Sequence, residues 1–166
     1  MTHTRATRAT RATRACFIFD LDRTLADDSH RIHHLLTSDW DAYFAACPAD
    51  SPIEHICAVA RALIKHHYPV IIVTGRSESV RNETLAWLEK HIPGFHRLYM
   101  RKHKDFRKNS VVKLEVLVEL RADGFVPLMA FDDQADVCKM WRNAGVPCAQ
   151  VAPGEWTEAT RKATQT

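Results

Sequence analysis

The chain has 166 residues, 46% of them hydrophobic and 26% charged, with a formal net charge of +3 at pH 7. That size suits one ordinary α/β domain rather than two, and that composition excludes a wholly disordered chain. No run approaches the roughly 18 uninterrupted apolar residues of a spanning helix, so no membrane contact is expected.

From the N-terminus, Thr-Arg-Ala repeats four times over residues 4–15. The repeat has no apolar h-region, so it is not read as a secretory signal, and a cytoplasmic protein is expected. It supplies Arg5, Arg8, Arg11 and Arg14; without these four the count is 19 basic against 20 acidic residues. Residues 1–15 therefore read as a low-complexity basic arm on a nearly neutral body, with polyanion contact as the sharper of its readings. Short apolar runs follow at Cys16–Phe19, Val70–Val73, Arg97–Met100, Pro127–Phe131 and Cys148–Val151. The first, second and fourth are apolar almost throughout, as strands covered on both faces are. Between them lie helical patterns. One opens at Ser51 with Pro52 at its first position and Glu54 placed for a capping box, and it ends near His67. Its apolar stripe is Ile53, Ile56, Cys57, Ala60, Leu63 and Ile64. Others cover roughly Glu78–His91, Ser110–Ala122 and Gln134–Ala144, the last closed by Gly145.

This alternation predicts a doubly wound, Rossmann-like α/β domain over residues 16–156, with a mainly parallel sheet of about five strands. Residues 25–50 interrupt the alternation and read as a flap or small cap. Within it, Trp40, Tyr43 and Phe44 read first as packing against the sheet and second as a stacking platform. Residues 157–166 read as a polar tail. The five cysteines (Cys16, Cys47, Cys57, Cys138, Cys148) are widely spread without a C-x-x-C pair, which fits reduced, buried thiols.

Ligands of such sheets bind at the carboxyl ends of the strands. The first strand ends Asp20-Leu-Asp22-Arg23-Thr24, and aspartates two apart on extended backbone point to one side. The second ends Thr74-Gly75-Arg76, and the fourth ends Asp132-Asp133 with Asp136 a helical turn on. A lone D-x-D or D-D is ordinarily a turn or a cap; here the pieces occupy strand ends in the order needed to face one another. Carboxylates crowded into one crevice repel unless a hard divalent cation joins them, and Mg²⁺ is the economical choice.

Asp20-x-Asp22-x-Thr24, Thr74-Gly-Arg76, Lys113 and Asp132-Asp133 resemble the four motifs of the haloacid dehalogenase (HAD) superfamily of phosphotransferases. Within it, the chain is most similar to the 3′-phosphatase domain of phage-type polynucleotide kinase/phosphatases. That similarity rests on Arg101-Lys-His-Lys-Asp105-Phe-Arg107-Lys-Asn-Ser-Val-Val-Lys113, then Met140-Trp141-Arg142, Gly145-Val and Gln150-Val151-Ala152-x-Gly154. The resemblance implies that Asp20 is the nucleophile of a phosphoaspartyl intermediate and Asp22 the general acid and base. It implies Mg²⁺ on Asp20, the Asp22 backbone carbonyl and Asp132, with Asp133 close by and counted among the catalytic residues. Thr74 and Lys113 would hold phosphoryl oxygens, and Thr24, Gly75, Arg76, Arg101 and Arg107 would bind substrate.

The segment Arg97–Lys108 holds six Lys/Arg against one acid, Asp105, and leads to Lys113. The function the resemblance implies is removal of 3′-phosphates from nucleic-acid ends or nucleotides, in the host cytoplasm if phage-encoded. Two alternatives stay open: a phosphatase of free mononucleotides or another small phosphoester, and a nucleic-acid-binding module with a vestigial site. None of the five glycines forms a G-x-x-x-x-G-K-[ST] loop, so a separate kinase or ligase is an expected partner. Two positions depart from the family pattern: Arg23, where many HAD enzymes have glycine, and Gln134, where the similar phosphatases often have arginine.

Overall fold

The structure, a computed structural model, describes residues 13–152. The arginines Arg5, Arg8 and Arg11 of the repeat and the tail 157–166 lie outside the described residues. Described in chain order are the strands β1 (Arg14–Phe19), β2 (Ala26–Asp27), β3 (Ser51–Pro52), β4 (Val70–Ser77), β5 (Arg97–Arg101), β6 (Phe125–Asp132) and β7 (Cys148–Gln150). The helices are α1 (Trp40–Ala45), α2 (Glu54–Lys65), α3 (Arg81–His91), α4 (Asn109–Ala122) and α5 (Ala135–Asn143). Short 3-10 segments occupy Ser29–Thr37, Cys47–Ala49 and Glu78–Val80.

Five strands form a parallel sheet in the order β5-β4-β1-β6-β7. Strand period two, with both faces buried, sorts the side chains of the central strands into two cores. Phe19, Val70 and Ile72 join Cys57 and Ala60 of α2 and Trp87 and Leu88 of α3 on one face. Cys16, Ile18, Ile71 and Val73 join Leu117 and Leu120 of α4 and Val137, Cys138 and Trp141 of α5 on the other. The chain leaves β1 first toward β4 and β5, then returns to lay β6 on the opposite side. The order therefore reverses at β1, and the crevice outside its carboxyl end is where such sheets take ligands. α5 stops at Gly145, whose φ of 79° lies in the left-handed region that C-terminal caps use.

Two boundaries differ from expectation. β1 begins inside the repeat, because Arg14 and Ala15 pair with Phe125 and Val126 of β6 and the Arg14 guanidinium lies 5.3 Å from the Phe125 ring centroid. The arm thus ends before residue 14 rather than at 15. Ser51-Pro52 does not open α2 either. It pairs antiparallel with Ala26–Asp27, the Ile53 N–H donates to the Leu25 carbonyl at 2.8 Å, and the helix starts at Glu54 without a side-chain cap. The short β2–β3 pair closes the neck of the flap, whose Tyr43 is buried as packing requires while Trp40 is not. All five cysteines are free and buried. Among the described residues no helix is long and apolar enough to cross a membrane.

Leu117 is fully buried in the α4–α5 core. Leu117→Ala is expected to cost about 2–5 kcal/mol, read from the urea unfolding midpoint; a loss below about 1 kcal/mol would contradict this packing.

Candidate active site

β1 runs out at Phe19, and the Asp20 backbone N–H donates to the Phe131 carbonyl at 2.9 Å, bringing Asp20 beside the end of β6. There Asp20, Asp132 and Asp133, all buried, each place a carboxylate oxygen within 4.8 Å of the others. Lys113 rises from the first turns of α4, its Nζ 2.8 Å from Asp20 Oδ1 and 2.8 Å from Asp132 Oδ2. Asp132 is held further by the Gln134 backbone N–H at 3.2 Å and the Trp141 indole N–H at 3.3 Å. One ammonium faces three carboxylates. Burial pushes Asp20 well above the usual carboxylate range; Lys113 opposes this, and Asp132 and Asp133 add to it. Burial, then Asp132, pushes Asp133 up to about 6. Burial works against the Lys113 charge, but Asp132 and Asp20 outweigh it and raise its pKa. A dry, oxygen-only and under-neutralised donor set fits a hard divalent cation and suits a thiolate-seeking metal poorly.

A second cluster lies beside the first. Asp22 Oδ1 accepts from Arg31 Nη2 at 2.5 Å and from Arg76 Nε and Nη2 at 2.9 and 2.6 Å. Asp50 accepts from Arg31 Nε and Nη2, both at 2.7 Å, and from Arg76 Nη2. Trp87 fixes the Asp50 carbonyl at 2.8 Å, and the Arg31 guanidinium lies 4.1 Å from the Tyr43 ring centroid. Buried Arg31, Arg76 and Asp50 and half-buried Asp22 therefore form an ion quartet at the flap, with His30 Nε2 a further 2.9 Å from Asp50 Oδ1. Burial alone would raise the Asp22 pKa; Arg76 and then Arg31 outweigh it and hold the carboxyl below its ordinary value. All three guanidinium bonds to Asp22 fall on Oδ1, which directs the group without occupying Oδ2.

An open cleft of about 810 Å³ stands over both clusters, between the flap and the loop after β5. Of the expected residues, Asp20, Asp22, Gly75, Arg101, Arg107 and Asp133 line it. Thr24, Thr74, Arg76, Lys113 and Asp132 are buried beneath. Gly75 makes a close approach: a Cβ there would lie 2.7 Å from Asn109 Oδ1, so the Asn109 side chain would have to shift. Arg101 donates from Nε to the Gly75 carbonyl at 3.2 Å, from Nη1 to the carbonyls of Asp105 and Arg107, and from Nη2 to Asn109 Oδ1. Asn109 in turn donates to Gln134 Oε1 at 2.8 Å, which gives the unusual Gln134 a partner.

The structure adds protein partners to the basic residues expected to bind substrate. Arg76 was expected to clamp substrate but is buried, with Asp22 and Asp50 as its partners. Arg107 is bonded to Asp105 and Glu115. Along Arg97–Lys108, Arg97 pairs with Asp123 while Lys102 and Lys104 line the cleft. Arg31, Asp50 and Trp141 escaped the sequence reading as site residues. Their partners are distant in the chain, and the only available signal was that a charge in an apolar setting needs an opposite charge.

The sequence profile of the polynucleotide kinase PNKP phosphatase domain matches residues 14–156. The chain belongs to this family. It is a HAD-type phosphatase, a phosphoric monoester hydrolase. Among solved structures it is similar to a chain of a Pnkp1/Rnl/Hen1 complex, at 27% identity and a TM-score of 0.74. That match covers 86% of this chain and 47% of the other, so this chain spans about half the length of that relative. The class C acid phosphatase from Bacillus anthracis with tungstate bound shares the fold at 14% identity and a TM-score of 0.58, over 95% of this chain and 80% of that one. A phosphoserine phosphatase solved as a phospho-aspartyl intermediate analogue shares it at 17% identity and 0.58, over 89% and 91%.

Removing Asp50 leaves two buried guanidinium groups with a single shared carboxylate, Asp22. Asp50→Ala is expected to cost about 3–5 kcal/mol, measured by chemical denaturation; a change within about 0.5 kcal/mol of zero would show that the quartet is not the buried ion cluster described.

Proposed function

We propose that the protein removes 3′-phosphates from nucleic-acid ends or nucleotides by Mg²⁺-dependent hydrolysis through a phosphoaspartyl intermediate on Asp20. The observation that carries the reading is Asp20 on the cleft floor, bonded to Lys113 and flanked by Asp132 and Asp133. Asp20, the Asp22 backbone carbonyl and Asp132, with Asp133 beside them, would hold Mg²⁺, which supplies positive charge to the phosphoryl oxygens.

In the first half-reaction an Asp20 oxygen attacks phosphorus, the ester P–O bond breaks, and Asp22 gives its proton to the leaving oxygen. Arg31 and Arg76 keep Asp22 ionised in the free protein, and the proton it gives is taken up from solvent as substrate binds, when the phosphate anion adds like charge that raises the proton affinity of Asp22. In the second half-reaction Asp22 takes a proton from water, which attacks the acyl phosphate and restores the Asp20 carboxylate. Lys113 has three ammonium hydrogens and spends two on Asp20 and Asp132, leaving one for a phosphoryl oxygen. Thr74 Oγ1 accepts the Arg76 backbone N–H at 3.2 Å and keeps its own hydrogen to donate. Catalysis on this reading is mostly electrostatic, a negative phosphoryl group held by preset donors during in-line attack.

The nucleic-acid part of the reading is supported by Arg101, Lys102 and Lys104 on the cleft wall. It is also supported by the relative at 27% identity, part of a Pnkp1/Rnl/Hen1 RNA repair complex. A separate kinase or ligase would then complete the handling of the same ends.

Phosphate release is expected to be fastest from a 3′-phosphorylated oligonucleotide, compared with its 5′-phosphorylated twin and free 3′- and 5′-mononucleotides. Asp20→Asn should abolish turnover of all four while leaving the circular dichroism spectrum unchanged. Preference for mononucleotides would move the protein to nucleotide metabolism, and turnover by the Asn variant would remove Asp20 as nucleophile. Mg²⁺ binding is expected to expel protons, because the raised Asp20 and Asp133 must ionise to ligate. Affinity should therefore climb as pH rises through about 6. Calorimetric titration in buffers of different ionisation enthalpy reads the released protons directly, and identical heats in all buffers would contradict the assignment.

A further inference from the structure

Phe106 and Trp40 line the cleft from its two walls, and the chemistry of the floor accounts for neither. Phe106 is 87% exposed. A lone exposed apolar side chain is ordinary on a protein surface; this one is held in place. The carbonyls on either side of it, Asp105 and Arg107, both accept from Arg101 Nη1, at 2.8 and 2.7 Å. The Arg107 backbone N–H donates to Asp105 Oδ1 at 3.0 Å, and the two side chains pair at 2.7 Å. The backbone is thus fixed on both sides of a ring that stays in water. On the flap, Trp40 is 45% exposed. Its ring centroid lies 6.0 Å from those of Tyr43 and Phe44, and Tyr43 is anchored by its hydroxyl, which donates to Asp28 Oδ2 at 2.6 Å.

One wall of the phosphatase cleft therefore presents an exposed ring on a braced backbone, and the other a half-exposed ring packed against anchored Tyr43. Rings so placed suit a flat π-system attached near the phosphate, and they offer little to an aliphatic phosphoester. Resting on the phosphatase reading above, we propose that Phe106 and Trp40 stack the nucleobase of the nucleotide that carries the scissile phosphate. The contact accepts any base, since each has a π-face, and it selects nucleotide phosphates over sugar or amino-acid phosphates.

The test is steady-state kinetics on two 3′-phosphorylated oligonucleotides that differ only in whether the terminal nucleotide has a base. For the unmodified protein, KM for the base-bearing substrate should be lower on the order of tenfold, the worth of one stacked base. Phe106→Ala and Trp40→Ala should each shrink that ratio toward one, and Phe106→Tyr should restore it. Equal KM values for the unmodified protein, or a ratio untouched by both alanine substitutions, would overturn the proposal. Binding of the same pair by Asp20→Asn, followed by fluorescence anisotropy, separates the two readings. Discrimination in binding without hydrolysis of either oligonucleotide by the unmodified protein would sink the 3′-phosphatase reading and uphold the stacking rings. Hydrolysis with no discrimination would do the reverse.

Discussion

A carboxylate taken out of water must find a counter-charge, a proton or a metal. The protein buries Asp20, Asp28, Asp50, Asp132 and Asp133 and half-buries Asp22 around one crevice, and it answers that demand in two ways. Asp22 and Asp50 are matched charge for charge by Arg31 and Arg76, so Asp22 is held ionised and aimed. Asp20, Asp132 and Asp133 share one buried cation, Lys113, with the more distant Arg23 beside Asp133, and Asp20 and Asp133 are still pushed toward the protonated form. The contrast gives carboxylates two residues apart opposite pKa shifts. A balanced pair suits a group that exchanges protons, and an under-neutralised cluster suits a cation and an attacking oxygen.

The quartet also ties the flap to Asp22. Arg31 comes from the flap's long 3-10 segment, Asp50 from the flap's end and Arg76 from β4, and Asp22 is bonded directly to both arginines. The β2–β3 pair and the bond from Ile53 N–H to the Leu25 carbonyl tie the base of the flap beside the turn that carries Asp22. A substitution in the flap therefore reaches Asp22 through two guanidinium groups.

What was legible in the sequence followed from local periodicity. The strands of the sheet show as apolar runs because a doubly covered parallel sheet needs them, and Asp20, Asp22, Asp132 and Asp133 stand out because strand ends are few. The quartet was illegible for a physical reason: Arg31 meets Asp50 across 19 residues and Arg76 meets it across 26, and no spacing rule reaches so far. Arg14 was misplaced because a Thr-Arg-Ala repeat has no strand alternation, yet its backbone still pairs with Phe125. Ser51-Pro52 carries the composition of a helix start, but the neck of the flap needs those backbone groups first. In each case a partner distant in the chain outweighed the local preference.

Arg23 shows the same priority at the cleft itself. Its φ of 60° is left-handed backbone, which costs a non-glycine residue about 1–2 kcal/mol and which the glycine of many HAD enzymes enters freely. The turn is nevertheless closed, with the Arg23 N–H donating to the Ala26 carbonyl at 2.6 Å and the Leu21 carbonyl accepting from the backbone N–H groups of Thr24, Leu25 and Ala26. With the backbone held this way, the side chain places its Nε 3.8 Å from Asp133 Oδ2 on the cleft wall. The strain is thus retained together with a positive charge beside the most exposed member of the under-neutralised cluster. Arg23 lowers the Asp133 pKa, though less than burial and Asp132 raise it. A glycine would relax the turn and leave Asp133 with Lys113 as its remaining nearby positive charge.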